Sequence, residues 1–270
     1  MKGFNKEPKC FMKKILRFIK IFRNILKVNF TVYIKYYKYK FLIKLIRNLL
    51  LTYSDNSKNI GQQLKNTLEE LGPIFVKFGQ LLSTRHDMFS PEIIKELSIL
   101  QDKVKPFDFV EVKKIIESDL DESIENIFSN FKEEPIASAS VAQVHYAELK
   151  DNRKVAVKVL RPNMKKQIDL DLNLLELFAS IAEFILKDGK RLKPREIVNE
   201  FRKHLYNELD LTIEAANSSQ IRRNFSNTDI IKIPENYWEY CSQNVLVMER
   251  LEGMSISDIE NLKNNNINLK

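Results

Sequence analysis

The stretch KVAVKVL, residues 154–160, sets a lysine among valines. Strand alternation puts Val155, Val157 and Val159 on one face and Ala156 with Lys158 on the other. An amine beside a small alanine is costly to bury unless a carboxylate or phosphate receives it. The other reading is an edge strand with its lysine in water. A second set of charges lies in NELDLTIEAAN, where Glu208, Asp210 and Glu214 stand close together. On one continuous helix Asp210 and Glu214 share a face and Glu208 lies some way round. One face can then meet Lys158 and the other a different cation, unless the whole forms a solvated acidic stripe. The two alanines after Glu214 point to close packing there. A third group is Lys77, Gly79 and Gln80 in FVKFGQLLSTRHDMFSPE, residues 75–92. Here a helix-weakening glycine separates two side chains able to reach a phosphate or a carboxylate.

These groups need a sheet and helices to position them. VAQVHYAEL (141–149) and KVAVKVL are short, valine-rich and alternating, and the polar Lys150-Asp151-Asn152-Arg153 joins them. That pattern predicts a β-hairpin. NVLVMERLEG (244–253) predicts a further strand, ended by Gly253. Helices are predicted over 11–52, 60–71 and 74–86, with a break at Gly72-Pro73. Two more begin at Pro91, with Ser90 as N-cap, and after Asp108. The last two run over 165–187 and 194–222, with LKDGKRLKP as the turn between them. TYSDNSKNIGQQ (52–63) reads as a polar hinge in which Ser57 and Asn59 are candidate caps. The order of elements gives an α+β fold whose sheet starts near residue 130. It divides into a basic helical leader (1–55), a helical extension (56–128) and a sheet-bearing part (129–270).

Charge is distributed unevenly. Residues 1–50 carry 14 Lys and Arg against one acid, Glu7, so +13 sits there and −5 on the rest of a chain whose net is +8. An acidic body argues against nucleic-acid binding and assigns the basic arm a job of its own. In that arm Phe11, Ile15, Phe18, Ile19, Phe22 and Leu26 recur at helical spacing, with Lys13, Lys14, Arg17, Lys20 and Arg23 between them. Such a helix lies in an anionic membrane interface or docks on the body with its lysines solvated. No apolar run is long enough to span a bilayer. Cys10 and Cys241 lack metal-ligand spacing and read as free thiols in a reducing compartment.

PIASASVAQV precedes the hairpin where a nucleotide-binding protein has its phosphate-covering turn. Protein kinases use glycines in that turn and follow it with a V-A-I-K lysine. Here the turn is Ala137-Ser138-Ala139-Ser140, then Val141, without glycine. Its amides curl less freely around phosphates. Small-residue turn, strand lysine, helix glutamate and linker strand occur in that order, with KFGQ upstream. Together with LSTRHDMFSPE, LQDKVKPF, ASASVAQVH and IRRNF, this resembles the UbiB family of atypical kinase-like proteins of ubiquinone biosynthesis, from about Leu68 to Asp258.

The resemblance implies a kinase-like N-lobe, a small antiparallel sheet plus helices, behind a helical N-terminal extension. It implies ATP with Mg²⁺ as cofactor, and ATP hydrolysis rather than protein phosphorylation. Lys77 and Gln80 would face the active site, and Gly79 would let their helix approach other backbone closely. Glu208 and Asp210 match an E-x-D motif that answers Lys77, which leaves Glu214 for Lys158, although Glu208 and Glu214 are able to exchange these roles. Met248 would back an adenine pocket whose base meets the Glu249 carbonyl and the Leu251 amide. Ser138 departs from the family's alanine. The expected partners are ATP, an anionic membrane surface, and proteins or lipid precursors of ubiquinone synthesis. The expected place is the cytoplasmic face of a bacterial inner membrane. A catalytic loop and metal-binding aspartate are expected beyond the linker, and His86, His145 and His204 offer no substitute. Residues 1–270 therefore read as the N-terminal portion of a longer protein, with the C-lobe largely absent, no metal ligands and no ATPase activity expected of this portion alone. The alternative function is a non-catalytic remnant or scaffold that binds membrane or partner.

Overall fold

The computed structural model describes residues 7–29, 34–50, 52, 57–101, 104–228, 230–254, 256 and 259–265. Its helices in chain order are α1 (Glu7–Lys27), α2 (Tyr37–Leu49), α3 (Ile60–Leu71), α4 (Pro73–Ser83), α5 (Pro91–Ser98), α6 (Phe109–Leu120) and α7 (Ile124–Ile127). There follow α8 (Met164–Ile185), α9 (Gly189–Leu192), α10 (Pro194–Glu208), α11 (Leu211–Asn224) and α12 (Ile259–Asn264). The strands are β1 (Phe128–Phe131), β2 (Ala137–Ser138), β3 (Ala142–Leu149), β4 (Lys154–Leu160) and β5 (Val245–Glu249). The fold is α+β. Its packing forms two units that interleave along the chain. One takes residues 1–106, 138–141 and 161–209; the other takes 107–137, 142–160 and 210–270. This division differs from the leader, extension and sheet-bearing parts read in sequence, because the chain leaves the sheet after Leu160 and returns to that unit at Asp210.

The first unit is helical, with a core that includes Ile21, Leu68, Phe75, Leu97, Leu172 and Leu205. Asn59 starts α3 through a capping box: its Oδ1 accepts from the Gln62 amide at 2.8 Å, and Gln62 Oε1 accepts from the Asn59 amide at 3.3 Å. Gly72, at φ +106°, turns the chain from α3 into α4, with Pro73 at the first helical position. Ser90 stands before α5 without a side-chain capping bond. The helix expected to reach residue 86 ends at Ser83, and the expected turn before Pro194 contains the short α9.

The basic helix α1 docks within this unit. Arg17 makes two 2.7 Å bonds to the carboxylate of Asp171, whose side chain is 1% exposed, and a third to Leu71 O at 2.9 Å. Gln167 Nε2 also donates to Asp171, at 3.0 Å. Phe18 and Phe22 stack on Phe178 of α8, and Ile21 is fully buried. Of the apolar positions read in sequence, Leu26 is buried and Phe18 and Phe22 are half-buried, whereas Ile15 and Ile19 are exposed. The side chains of Phe11, Lys13 and Lys14 lie outside the described residues.

The second unit is an antiparallel sheet in the order β1-β3-β4-β5, with β2 added to β3. The hairpin runs in unbroken register from Ala142 opposite Leu160 to Glu148 opposite Lys154. Val155, Val157, Val159, Val245 and Val247, all fully buried, form one face of the sheet and pack on Val112 and Ile116 of α6. Asp108 caps α6 by accepting from the Val110 amide at 2.8 Å. The far edge of β5 is closed by the segment before it: Tyr237 N–H donates to Val247 O at 2.9 Å, and Glu249 N–H to Glu235 O at 2.7 Å. The strand expected to run to Gly253 ends at Glu249, and the four-residue β1 was not foreseen.

His145 is fully buried in this sheet. Its Nδ1 lies 2.9 Å from Lys132 O and its Nε2 lies 3.0 Å from Gln143 Nε2. The carbonyl demands a donor and the amide an acceptor, so the ring is neutral with its proton on Nδ1. Gln143 Oε1 in turn accepts from the Phe107 amide at 3.0 Å. Burial lowers the His145 pKa below its ordinary value of 6.5.

Arg17→Ala leaves the Asp171 carboxylate buried without its cation and is expected to cost about 3–5 kcal/mol in urea unfolding; a loss below about 1 kcal/mol would show that the pair does not hold α1. For His145 the unfolded chain binds a proton below about pH 6.5 while the folded chain stays neutral. Its contribution is therefore complete above that pH and declines as the pH falls toward the lower folded value. Thermal unfolding scanned across this window should show the decline in the wild type and a shallower one in His145→Phe.

Candidate functional site

The face of β4 opposite the valines carries Ala156 and Lys158. Across the register Ala156 meets Tyr146 and Met248, and Lys158 meets Val144 and Leu246, so these six side chains share one surface of the sheet. Helix α11 brings a carboxylate to it. Asp210 fixes where that helix begins: its Oδ1 accepts from the Thr212 amide at 3.0 Å and from the Thr212 hydroxyl at 2.6 Å. The Leu211 amide donates to Gln243 O at 2.9 Å, which ties the helix start to the approach of β5. Leu211 and Ala215 are buried, and that inner face leaves Glu214 beside it. Lys158 Nζ stands 2.8 Å from Glu214 Oε1 and 2.6 Å from Oε2. The two side chains are 24% and 46% exposed. The amine is thus held by both carboxylate oxygens at a place solvent still reaches.

The acids read as one helical set are divided. The helix expected over 194–222 breaks at Leu209-Asp210 into α10 and α11. Asp210 therefore shares no helical face with Glu214; it is a cap. Glu208, at the end of α10, pairs with Lys77 of α4 at 2.9 and 3.1 Å, within the helical unit. Gln80 donates its side-chain amide to Leu100 O at 3.0 Å. Gly79 permits a close approach, though of side chains rather than the backbone expected: a Cβ there would lie 2.4 Å from Leu100 Cδ1 and 2.6 Å from Leu68 Cδ1.

The alanine-serine turn is tied down by a residue that sequence reasoning passed over. Arg161 Nε donates to Ala139 O at 3.0 Å, and its Nη2 donates to Ser138 Oγ at 2.7 Å and to Lys105 O at 2.9 Å. The Arg161 amide donates to Val141 O at 2.8 Å. Ser140 and Val141 are buried and Ala137 is exposed. Burial pushes the Arg161 pKa down. The available signal was a cation directly after the strand that carries Lys158, but the pairing spans some twenty residues and no local pattern announces it.

At the linker, Met248 lies beside Ala156, and the Glu249 carboxylate pairs with Lys232 at 3.1 Å. Leu251 follows the end of β5 and is half-buried. Arg250, also unremarked in sequence, places its guanidinium 3.8 Å from the centre of the Tyr146 ring. Among the described residues no three His, Cys, Asp or Glu side chains gather into a metal-holding set.

The chain is 50% identical over 210 residues to the probable protein kinase UbiB of Cellvibrio japonicus and 47% identical over 212 residues to that of Erwinia tasmaniensis. Each alignment covers 78% of this chain but only 38% and 39% of the relatives. A solved structure, the Rv3197–erythromycin complex from Mycobacterium tuberculosis, matches over 82% of this chain and 53% of its own at 24% identity, with a TM-score of 0.49. Residues 99–270 match the ABC1 atypical kinase-like domain, and the chain belongs to that family.

Proposed function

We propose that this chain is the nucleotide-binding portion of a UbiB-type atypical kinase, an ATPase that supports ubiquinone biosynthesis at a membrane. The observation that carries the reading is the Lys158–Glu214 pair, an amine held by both oxygens of one carboxylate on a half-open face of the sheet. An ion pair of this kind fixes the lysine rotamer, so that its charge meets the phosphates of a nucleotide without first being ordered. Ala156 and Met248 form an apolar strip beside it, suited to a purine. Hydrolysis rather than peptide phosphorylation is what the family resemblance implies for a chain whose turn at 137–141 has no glycine. ATP brings the reactive phosphates when bound. Mg²⁺, which the family resemblance implies beside ATP, belongs to the proposal for the whole protein.

The chain spans about two fifths of the curated relatives it matches, so turnover, the quinone-pathway substrate and the protein partners belong to the proposal for the whole protein. So does a peripheral position on the cytoplasmic face of a bacterial inner membrane. No helix among the described residues is long and apolar enough to cross a membrane.

ATP titration of this chain by calorimetry tests the site. Lys158→Ala should weaken binding by about tenfold to a hundredfold, the range for losing a hydrogen bond to a charged group. Glu214→Gln should weaken it less, about threefold to tenfold, because the amine remains and only its orientation is lost. Lys113→Ala, which removes a surface pair with Glu125, should leave it unchanged. Saturable ATP binding that survives Lys158→Ala, or no saturable binding at all, would overturn the reading.

A further inference from the structure

Helix α1 has two apolar faces. Its inner face docks, through Arg17 on Asp171 and through Ile21 and Asn24, both buried. On the opposite side Met12, Ile15, Leu16 and Ile19, three and four residues apart, are 38% to 59% exposed. Helix α2 repeats the pattern: Phe41, Leu42, Leu45 and Leu49 fall on one side and are 47% to 79% exposed. Lys40, Lys44 and Arg47 lie away from that stripe. Helix α8 contributes Leu177, Ile181 and Phe184, each more than 40% exposed.

These stripes adjoin one another within the helical unit. Phe178 of α8 stacks on Phe18 and Phe22, which lie one turn from Ile15 and Ile19. Tyr39 of α2 meets Phe184 edge-on, and the Lys35 amide donates to Ile185 O at 2.9 Å. An apolar surface built from three helices exceeds the scattered exposed leucines of an ordinary protein surface and marks something that covers it.

Charge identifies the occupant. Residues 1–50, which supply two of the three helices, hold 14 Lys and Arg and one acid. A second copy meeting this one about a two-fold axis would bring these like charges together. An anionic bilayer supplies both the opposite charge and apolar depth. We propose that the outer faces of α1, α2 and the C-terminal half of α8 form one platform that sits in the headgroup layer of an anionic membrane, while the inner face of α1 stays docked. This deepens the membrane part of the reading above and does not depend on ATP binding. The leader is then not an arm that leaves the body to find lipid; docking and membrane contact use opposite sides of one helix.

Flotation of the whole chain with lipid vesicles tests the platform. Wild type should float with vesicles of phosphatidylcholine containing phosphatidylglycerol and much less with phosphatidylcholine alone. Three exposed-face variants, Leu16→Glu with Ile19→Glu, Phe41→Glu with Leu45→Glu, and Phe184→Glu, should each lower partition by about tenfold or more. Ile230→Glu, at a site 92% exposed in the other unit, should not. Circular dichroism checks that helicity is kept, and ATP titration of the same variants separates failure here from failure of the nucleotide reading. Absence of anionic-vesicle binding, or partition unmoved by Phe184→Glu, overturns the proposal. So does a dimer in sedimentation equilibrium that Phe41→Glu with Leu45→Glu disperses, which would assign the surface to a second copy.

Discussion

An amine on a central strand cannot be left among valines without a counter-charge, and a carboxylate one helix away cannot be held near it without its own supports. Lys158 and Glu214 meet this constraint together. Much of the surrounding local structure bears on the distance between them. Asp210 sets the start of α11 and hence the angular position of Glu214; Leu211 and Ala215 pin the inner face of that helix. Asn236 donates to Ala215 O at 2.9 Å from the segment that leads into β5. On the strand side, α6 and the buried valines fix one face of β4 so that the other presents the amine.

The same economy of charge recurs in the helical unit, where Arg17 meets Asp171 and Lys77 meets Glu208. Such pairs are weak sources of net stability, because taking both charges from water offsets much of their attraction. Their effect is on geometry. Each joins elements distant in sequence, and each makes the alternative packing, with one charge stranded, expensive. The half-exposed Lys158–Glu214 pair suffers less desolvation than the Arg17–Asp171 pair.

What the sequence made legible were features set by neighbours along the chain. The hairpin bounds, the caps Asn59 and Asp108, and the turn at Gly72-Pro73 are properties of a few adjacent residues, and each sits where alternation or capping chemistry puts it. The break at Leu209-Asp210 was illegible because both flanks keep helical periodicity, and an aspartate reads equally as a helix-face acid or as a cap. The four residues of β1 carry too little alternation to stand out. Arg161 was passed over because its partners lie in a turn some twenty residues away and its partner atoms include backbone carbonyls, which every residue possesses. For α1, periodicity shows which residues share a face. It does not show that one face would be covered by protein while its opposite stayed bare.

The treatment of the sheet's margins has a consequence for assembly. One margin is the four-residue β1, whose register shifts between Phe128 and Asn130; the other, along β5, is already hydrogen-bonded by Glu235 and Tyr237. Neither offers the long, flat row of open amides and carbonyls on which a foreign chain lays itself as an extra strand. Among the described residues the sheet thus presents no long open edge for strand addition, whether into fibrils or onto an extended peptide.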